Sequence, residues 1–420
     1  MISTKVKPTL SRYGNSLRYR DFRWVMLGSL GGQSAYWALI IARGVLVLEM
    51  TGSSALVGVA TFAAMVPRFL MPPVAGYLAD RFDRRTVLVV AYVLQFFNVL
   101  ALAGLAFADL LTVGILIALS LLNGTFRAFQ MTATQALVPN LVSKDDLLNA
   151  IALNQLSLQG ARLVGPALIA PALFLGGTSA AFLACAVLYV LSIVCVTAIH
   201  TRSTGALTKG AGMLQSLVEA GTYSWSDPQL RVLFILIALH CAMTMSFETI
   251  LPVLSQEVLS NPENANTLMM AVGGGALIGV LAISGTRKAN SRGMILLITG
   301  ALSGASMLIL AMARDLPTSM LGAGAMGATQ AAFMAIAGAM VQSLAPDAMR
   351  GRITGFSHII IGGTMAVLNL VNGFAADAIG VSNVLWILGL GFTAIVVASL
   401  AIGPLRNIYR GVAPVPAAAG

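Results

Sequence analysis

Carboxylates are scarce in the long apolar stretches of this 420-residue chain, and Glu248 is the only one well inside such a stretch. His240 and Thr244 precede it by eight and four residues, so on a continuous helix all three share roughly one face. A carboxyl group kept from water can exchange protons at pH values where an exposed one stays ionised. Glu248 is therefore the leading residue for carrying a proton or meeting a cationic group. His240 comes second, because imidazole titrates near neutrality. Arg43 and Arg162 also lie within apolar stretches, where a charge is costly and usually faces a cavity or a partner. Arg162 could bind an anionic group or pair with Glu248. Gln33, Trp37, Asn123, Gln155, Asn369 and Asn372 are polar or amphipathic residues in similar stretches. They could line a cavity and hydrogen-bond a small molecule, or join helices to one another.

A second kind of chemistry is concentrated in Gly76-Tyr77-Leu78-Ala79-Asp80-Arg81-Phe82-Asp83-Arg84-Arg85. Half of its residues are charged, in a chain that is 10% charged and 58% hydrophobic. Ordinary soluble domains carry about 25% charged residues. With so few charges and a mean hydropathy of +0.87, this chain could not cover a surface facing water. A lipid bilayer is the solvent that accepts it. The net charge of +10 does not point to nucleic acid, because the cations form short clusters between apolar runs. The three cysteines, Cys185, Cys195 and Cys241, show neither metal-ligand spacing nor a disulfide framework. No phosphate loop and no Ser/His/Asp grouping is present, so no cofactor, metal or enzymatic activity is expected.

A spanning helix needs about 20 mostly apolar residues. Twelve such spans are expected at 24–48, 55–76, 86–108, 111–131, 150–173, 178–199, 230–252, 266–285, 293–313, 318–341, 354–375 and 381–403. With the N-terminus inside, 20 of the 25 Lys and Arg residues fall on the cytoplasmic side, Arg314 alone falls outside, and four lie within spans. That asymmetry is the mark of cytoplasmic loops. Residues 1–23 and 404–420 read as cytoplasmic tails, 24–199 and 230–403 as two six-helix bundles, and 200–229 as a linker with an amphipathic helix around Leu214, Leu217 and Val218. Glycines in spans 8 and 10 are expected to let helices approach closely. Arg68 and Arg127 lie near the cytoplasmic ends of their spans and are expected to snorkel.

The halves look duplicated. Gln135-Ala136-Leu137-Val138-Pro139 and Gln342-Ser343-Leu344-Ala345-Pro346 both read Q-x-L-x-P, 207 residues apart, and the same offset takes Arg81 to Lys288 and Arg85 to Arg292. It also places Arg43 near Glu248, as a candidate pair at an outer gate. The charged loop resembles the loop between the second and third helices of the major facilitator superfamily, G-x-x-x-D-R-x-G-R-[RK], through Gly76, Asp80, Arg81, Arg84 and Arg85. Asp83 stands where that pattern has a second glycine. Thr51-Gly52-Ser53, Arg162-Leu163-Val164-Gly165-Pro166 and Arg350-Gly351-Arg352 resemble the branch containing macrolide-efflux and enterobactin-exporter proteins. The resemblance implies two six-helix bundles, a central cavity and alternating access. It also implies a loop that latches the cytoplasmic side through Asp80, against the start of span 11 near Arg352 and Thr354. Export of a small amphipathic molecule by proton antiport across the inner membrane is the expectation, with substrate, protons and lipid as partners and a monomer as the assembly. Uptake or facilitated diffusion of a polar metabolite, and a non-transporting receptor or scaffold, remain open alternatives.

Overall fold

A computed structural model of the protein describes residues 15–203, 213–283, 289–346 and 349–410. The described residues are helical almost throughout and contain no strand, as expected where lipid leaves a backbone only itself to bond with. Helix α1 (Arg20–Thr51) covers the first expected span. The second is broken into α2 (Ser54–Met65), α3 (Pro67–Leu70) and α4 (Pro72–Arg81). Pro67 and Pro72 each remove a backbone donor and start a new helical segment. Helices α5 (Arg84–Phe107) and α6 (Val113–Leu137) match spans three and four. Spans five and six follow one another in α7 (Leu147–Thr197), joined at Gly176 and Gly177. Gly177 has φ 63°, a left-handed backbone that favours glycine.

The linker forms α8 (Met213–Ser226), with Val218 and Trp225 exposed, and turns by 108° into α9 (Pro228–Met243). Asp227 makes the turn possible by capping α9, accepting bonds from the Gln229 and Leu230 amides at 2.9 and 2.8 Å. The seventh span is not the continuous helix 230–252 that was expected. It unwinds over residues 244–249 and resumes as α10 (Ile250–Glu257). Helices α11 (Asn264–Ile283), α12 (Ala289–Met312), α13 (Leu316–Leu344), α14 (Arg350–Ile379) and α15 (Val381–Ala398) supply spans eight to twelve, followed by α16 (Gly403–Tyr409). Among the described residues, nine helices are long and apolar enough to cross a membrane, or ten if the bent α8–α9 pair is one span. The difference from twelve arises because α7 carries two spans and spans two and seven are broken.

Contacts divide the chain into two compact units. The first comprises residues 1–39, 70–111 and 122–208, and the second 40–69, 112–121 and 209–420. In the second, α11 and α13 approach through glycines: a methyl group at Gly275, Gly279 or Gly327 would strike the facing backbone at Gly324, Ala328 or Val272. Helix α2, expected to belong with the N-terminal helices, packs along α14 within this second unit.

Candidate functional site

Glu248 lies in the unwound segment of span seven and is 1% exposed. Its position off the helix corrects the expectation that it shares a helical face with His240 and Thr244. Three side-chain amides hold the unwound backbone. Gln330 donates to the Thr244 carbonyl at 2.5 Å, Asn372 donates to the Ser246 carbonyl at 2.9 Å, and Asn369 accepts from the Thr249 amide at 3.1 Å. A backbone group left bare in such a setting would incur the full desolvation penalty, about 1–3 kcal/mol. Asn369 also donates to the Glu248 carboxylate at 2.8 Å and to the Met365 carbonyl at 3.0 Å. Asn369 and Asn372, expected as cavity lining, are thus buried and bonded to the chain itself. Arg43 is 4% exposed in the same unit, and its neighbour Gly44 abuts Pro252 one turn beyond Glu248.

His240 stands apart from this carboxylate. Its ring stacks on Phe333 at 4.0 Å, meets Phe392 at 5.2 Å and contacts the Ser303 hydroxyl at 3.2 Å. The structure places it in an aromatic core with no exposure.

The first unit has its own buried polar constellation, centred on Arg127. This residue does not snorkel: it is 2% exposed. Its guanidinium donates to Gln33, and to Gln130 at 2.9 Å, and lies 4.4 Å from the centre of the Tyr36 ring. Gln130 in turn donates to the Tyr92 hydroxyl and accepts from Gln95, which accepts from Tyr189. Arg162 lies 4.4 Å from the centre of the Trp37 ring, so adjacent aromatic residues of α1 each carry a guanidinium. Cation–π contacts of this kind strengthen when water is excluded. Asn123 is buried one turn before Arg127, whereas Gln155 is exposed.

Two arginines of the charged loop are fixed to helix ends. Arg84 donates to the Ala136 carbonyl at 3.0 Å, near the end of α6, and Arg85 to the Thr197 carbonyl at 2.6 Å, the end of α7. Cations are favourable there because helix carbonyl ends carry partial negative charge. Arg81 is more exposed and donates to Tyr77. Gly76 has open space around it. Asp80 falls in α4, but its side chain is outside the described residues. Arg352, at the start of span eleven, pairs with Glu219 of α8 at 2.6 Å.

Asp83 occupies the position of the missing glycine and caps α5, accepting from the Thr86 amide and hydroxyl at 3.1 and 3.0 Å and from the Ser203 amide at 2.9 Å. The spacing of Asp83 and Thr86 would have revealed the cap. Gln330 carried no signal beyond being polar in an apolar run. At the N-terminal end of α7, Asp146 accepts from Tyr19 at 2.9 Å, Ser143 at 3.1 Å and Arg18 at 2.7 Å. The Tyr19 hydroxyl leads in holding that carboxyl below its usual range, against partial burial.

A multi-pass membrane protein of the major facilitator fold is what these helices define. The chain belongs to the major facilitator superfamily, in the family described as transmembrane secretion effector, whose model matches residues 14–409. It is 23% identical over 394 residues to the multidrug efflux pump Tap of Mycolicibacterium fortuitum, covering 91% of this chain and 96% of that one. It is 22% identical to the staphyloferrin A transporter of Staphylococcus aureus over 57% of this chain and 61% of that one. Among solved structures it resembles a nucleoside transporter, NupG (TM-score 0.70, 12% identity, 93% of this chain and 99% of that one), and a POT family transporter (TM-score 0.72, 12% identity, 92% and 96%). These two show likeness of fold.

Proposed function

We propose that the protein exports a small amphipathic molecule, of drug or siderophore type, from the cytoplasm by alternating access coupled to proton entry. The observation that carries the reading is Glu248: a carboxylate 1% exposed, set in an unwound part of a spanning segment and held by Asn369. A protein that never cycles gains nothing evident from keeping such a group, and intramembrane carboxylates commonly serve proton relays. The names of the efflux-type relatives support the direction and the substrate class. The charge asymmetry of the loops supports cytoplasmic termini in an inner membrane.

The test uses inside-out vesicles with an imposed pH gradient and a fluorescent amphipathic drug. Wild type releases protons when the drug is added; Glu248→Gln does not. Drug flux that is equal in both proteins and moves no protons would return Glu248 to a structural role and defeat the antiport reading.

A further inference from the structure

Helix α14 presents Asp377, Gly373, Asn369 and Gly362 to α2 and α3 at helical spacing. At one end of this seam the Asp377 carboxylate accepts from the Ser53 hydroxyl at 2.8 Å, the Ser54 amide at 2.6 Å and the Ala55 amide at 3.0 Å. Ser54 and Ala55 open α2, so their amides have no carbonyl within the helix. They also form its positive end. One turn further in, α2 and α14 touch backbone to backbone. A methyl at Gly373 would lie 2.6 Å from the Ser54 oxygen and 3.0 Å from the Gly58 Cα. One at Gly58 would lie 3.1 Å from the carbonyl oxygens of Asn369 and Leu370. Deeper still, the Asn369 amide reaches the Met65 sulfur at 3.6 Å. Beyond this point the seam loosens. A methyl at Gly362 would find only Phe69 Cβ, at 4.0 Å, and His358 is exposed one turn along.

We propose that Asp377 is the latch that holds the external end of the α2–α14 seam, a gate in this cycle, closed by binding the N-terminus of α2. Glycine against glycine gives close approach but only weak dispersion to hold it. The three charge-assisted bonds from Asp377 supply the specific attraction, and charged acceptors make the stronger hydrogen bonds. Opening parts Asp377 from the α2 N-terminus, and the glycine pair then separates with nothing interlocked. This rests on the alternating-access reading above, since only a cycling protein must part the seam.

The test places a reporter behind the gate. Met65→Cys, on a Cys195→Ser background, is labelled from the external face of right-side-out vesicles with a membrane-impermeant maleimide. No substrate is needed, so the result stands apart from whether a drug is exported. With the latch intact, labelling is slow. Adding Asp377→Ala raises the rate roughly tenfold, the equivalent of about 1.4 kcal/mol in the closed–open balance. Gly373→Val, which wedges the same seam, raises it too. An Ile353→Cys reporter, buried at the opposite end of α14, stays slow in both variants. An unchanged rate at position 65 overturns the proposal, and so does an equal rise at position 353, which would mean general loosening.

Discussion

Gly165 opens the Gly-Pro pair in the middle of α7 and lies against Ser34 of α1, both within the first unit. A methyl group added there would sit 2.9 Å from both Cα and the carbonyl carbon of Ser34, and closer still to its oxygen. Ordinary contact begins at 3.4 Å, so the carbons alone fall short by about 0.5 Å. The obstructing atoms are backbone, and no rotamer change relieves them. Either α1 and α7 move apart along a seam that also carries Arg162 on Trp37, or the variant accepts strain. Overpacking of a well-packed contact costs about 1–3 kcal/mol. Gly160 provides the matched control. It lies five residues earlier on the same helix, and a methyl there meets nothing within 4 Å. Alanine at that position gains helix propensity, up to about 1 kcal/mol. The assay is thermal denaturation of purified protein in detergent, followed by drug-dependent proton release in vesicles. Gly165→Ala should melt below wild type and lose release, while Gly160→Ala melts at or above wild type and keeps it. Equal melting of the two variants would refute the reasoning, because propensity treats them alike and only the contact separates them.

Two other expectations follow from the same kind of geometry. Arg127→Lys keeps a positive charge but loses the fork that reaches Gln33 and Gln130 together, so it should destabilise by about 1.5–3 kcal/mol in detergent melts, against little effect for the exposed Arg81→Lys. The Asp146 carboxyl is held low in the folded protein, so its tether to Tyr19, Ser143 and Arg18 is fully present above the ordinary carboxylate pKa and is lost as pH falls through the lowered one. The melting difference between wild type and Asp146→Asn should therefore be constant from neutral pH down to about pH 5 and shrink in stronger acid; a difference that grows on acidification would reverse the sign.

Much of the architecture is readable from composition alone, because lipid leaves few options: apolar runs of sufficient length become helices, and Glu248 is conspicuous in any of them. The break around Glu248 is not readable. It depends on Gln330, Asn369 and Asn372, whose side chains come from 80 or more residues away, and no local pattern announces which backbone carbonyl each will reach. The burial of Arg127 is hidden for the same reason. Its distance from the end of a span suggests snorkelling, whereas its depth is decided by Gln33 and Tyr36 on another helix. Asp83 shows the opposite failure. It departs from the family pattern, yet an Asp three residues before Thr86 is a local capping signal that needed no tertiary information.

The amides that hold the unwound part of span seven carry a cost of displacement. Asn369, Asn372 and Gln330 are each bonded to the main chain. A cargo molecule that recruited any of them would compete with the fold for the same hydrogen bond, and its net affinity would fall by whatever the exposed carbonyl or amide then lost. These side chains are therefore committed to the main chain, and a group that displaced one of them would have to replace the lost backbone hydrogen bond or undo the break in the helix.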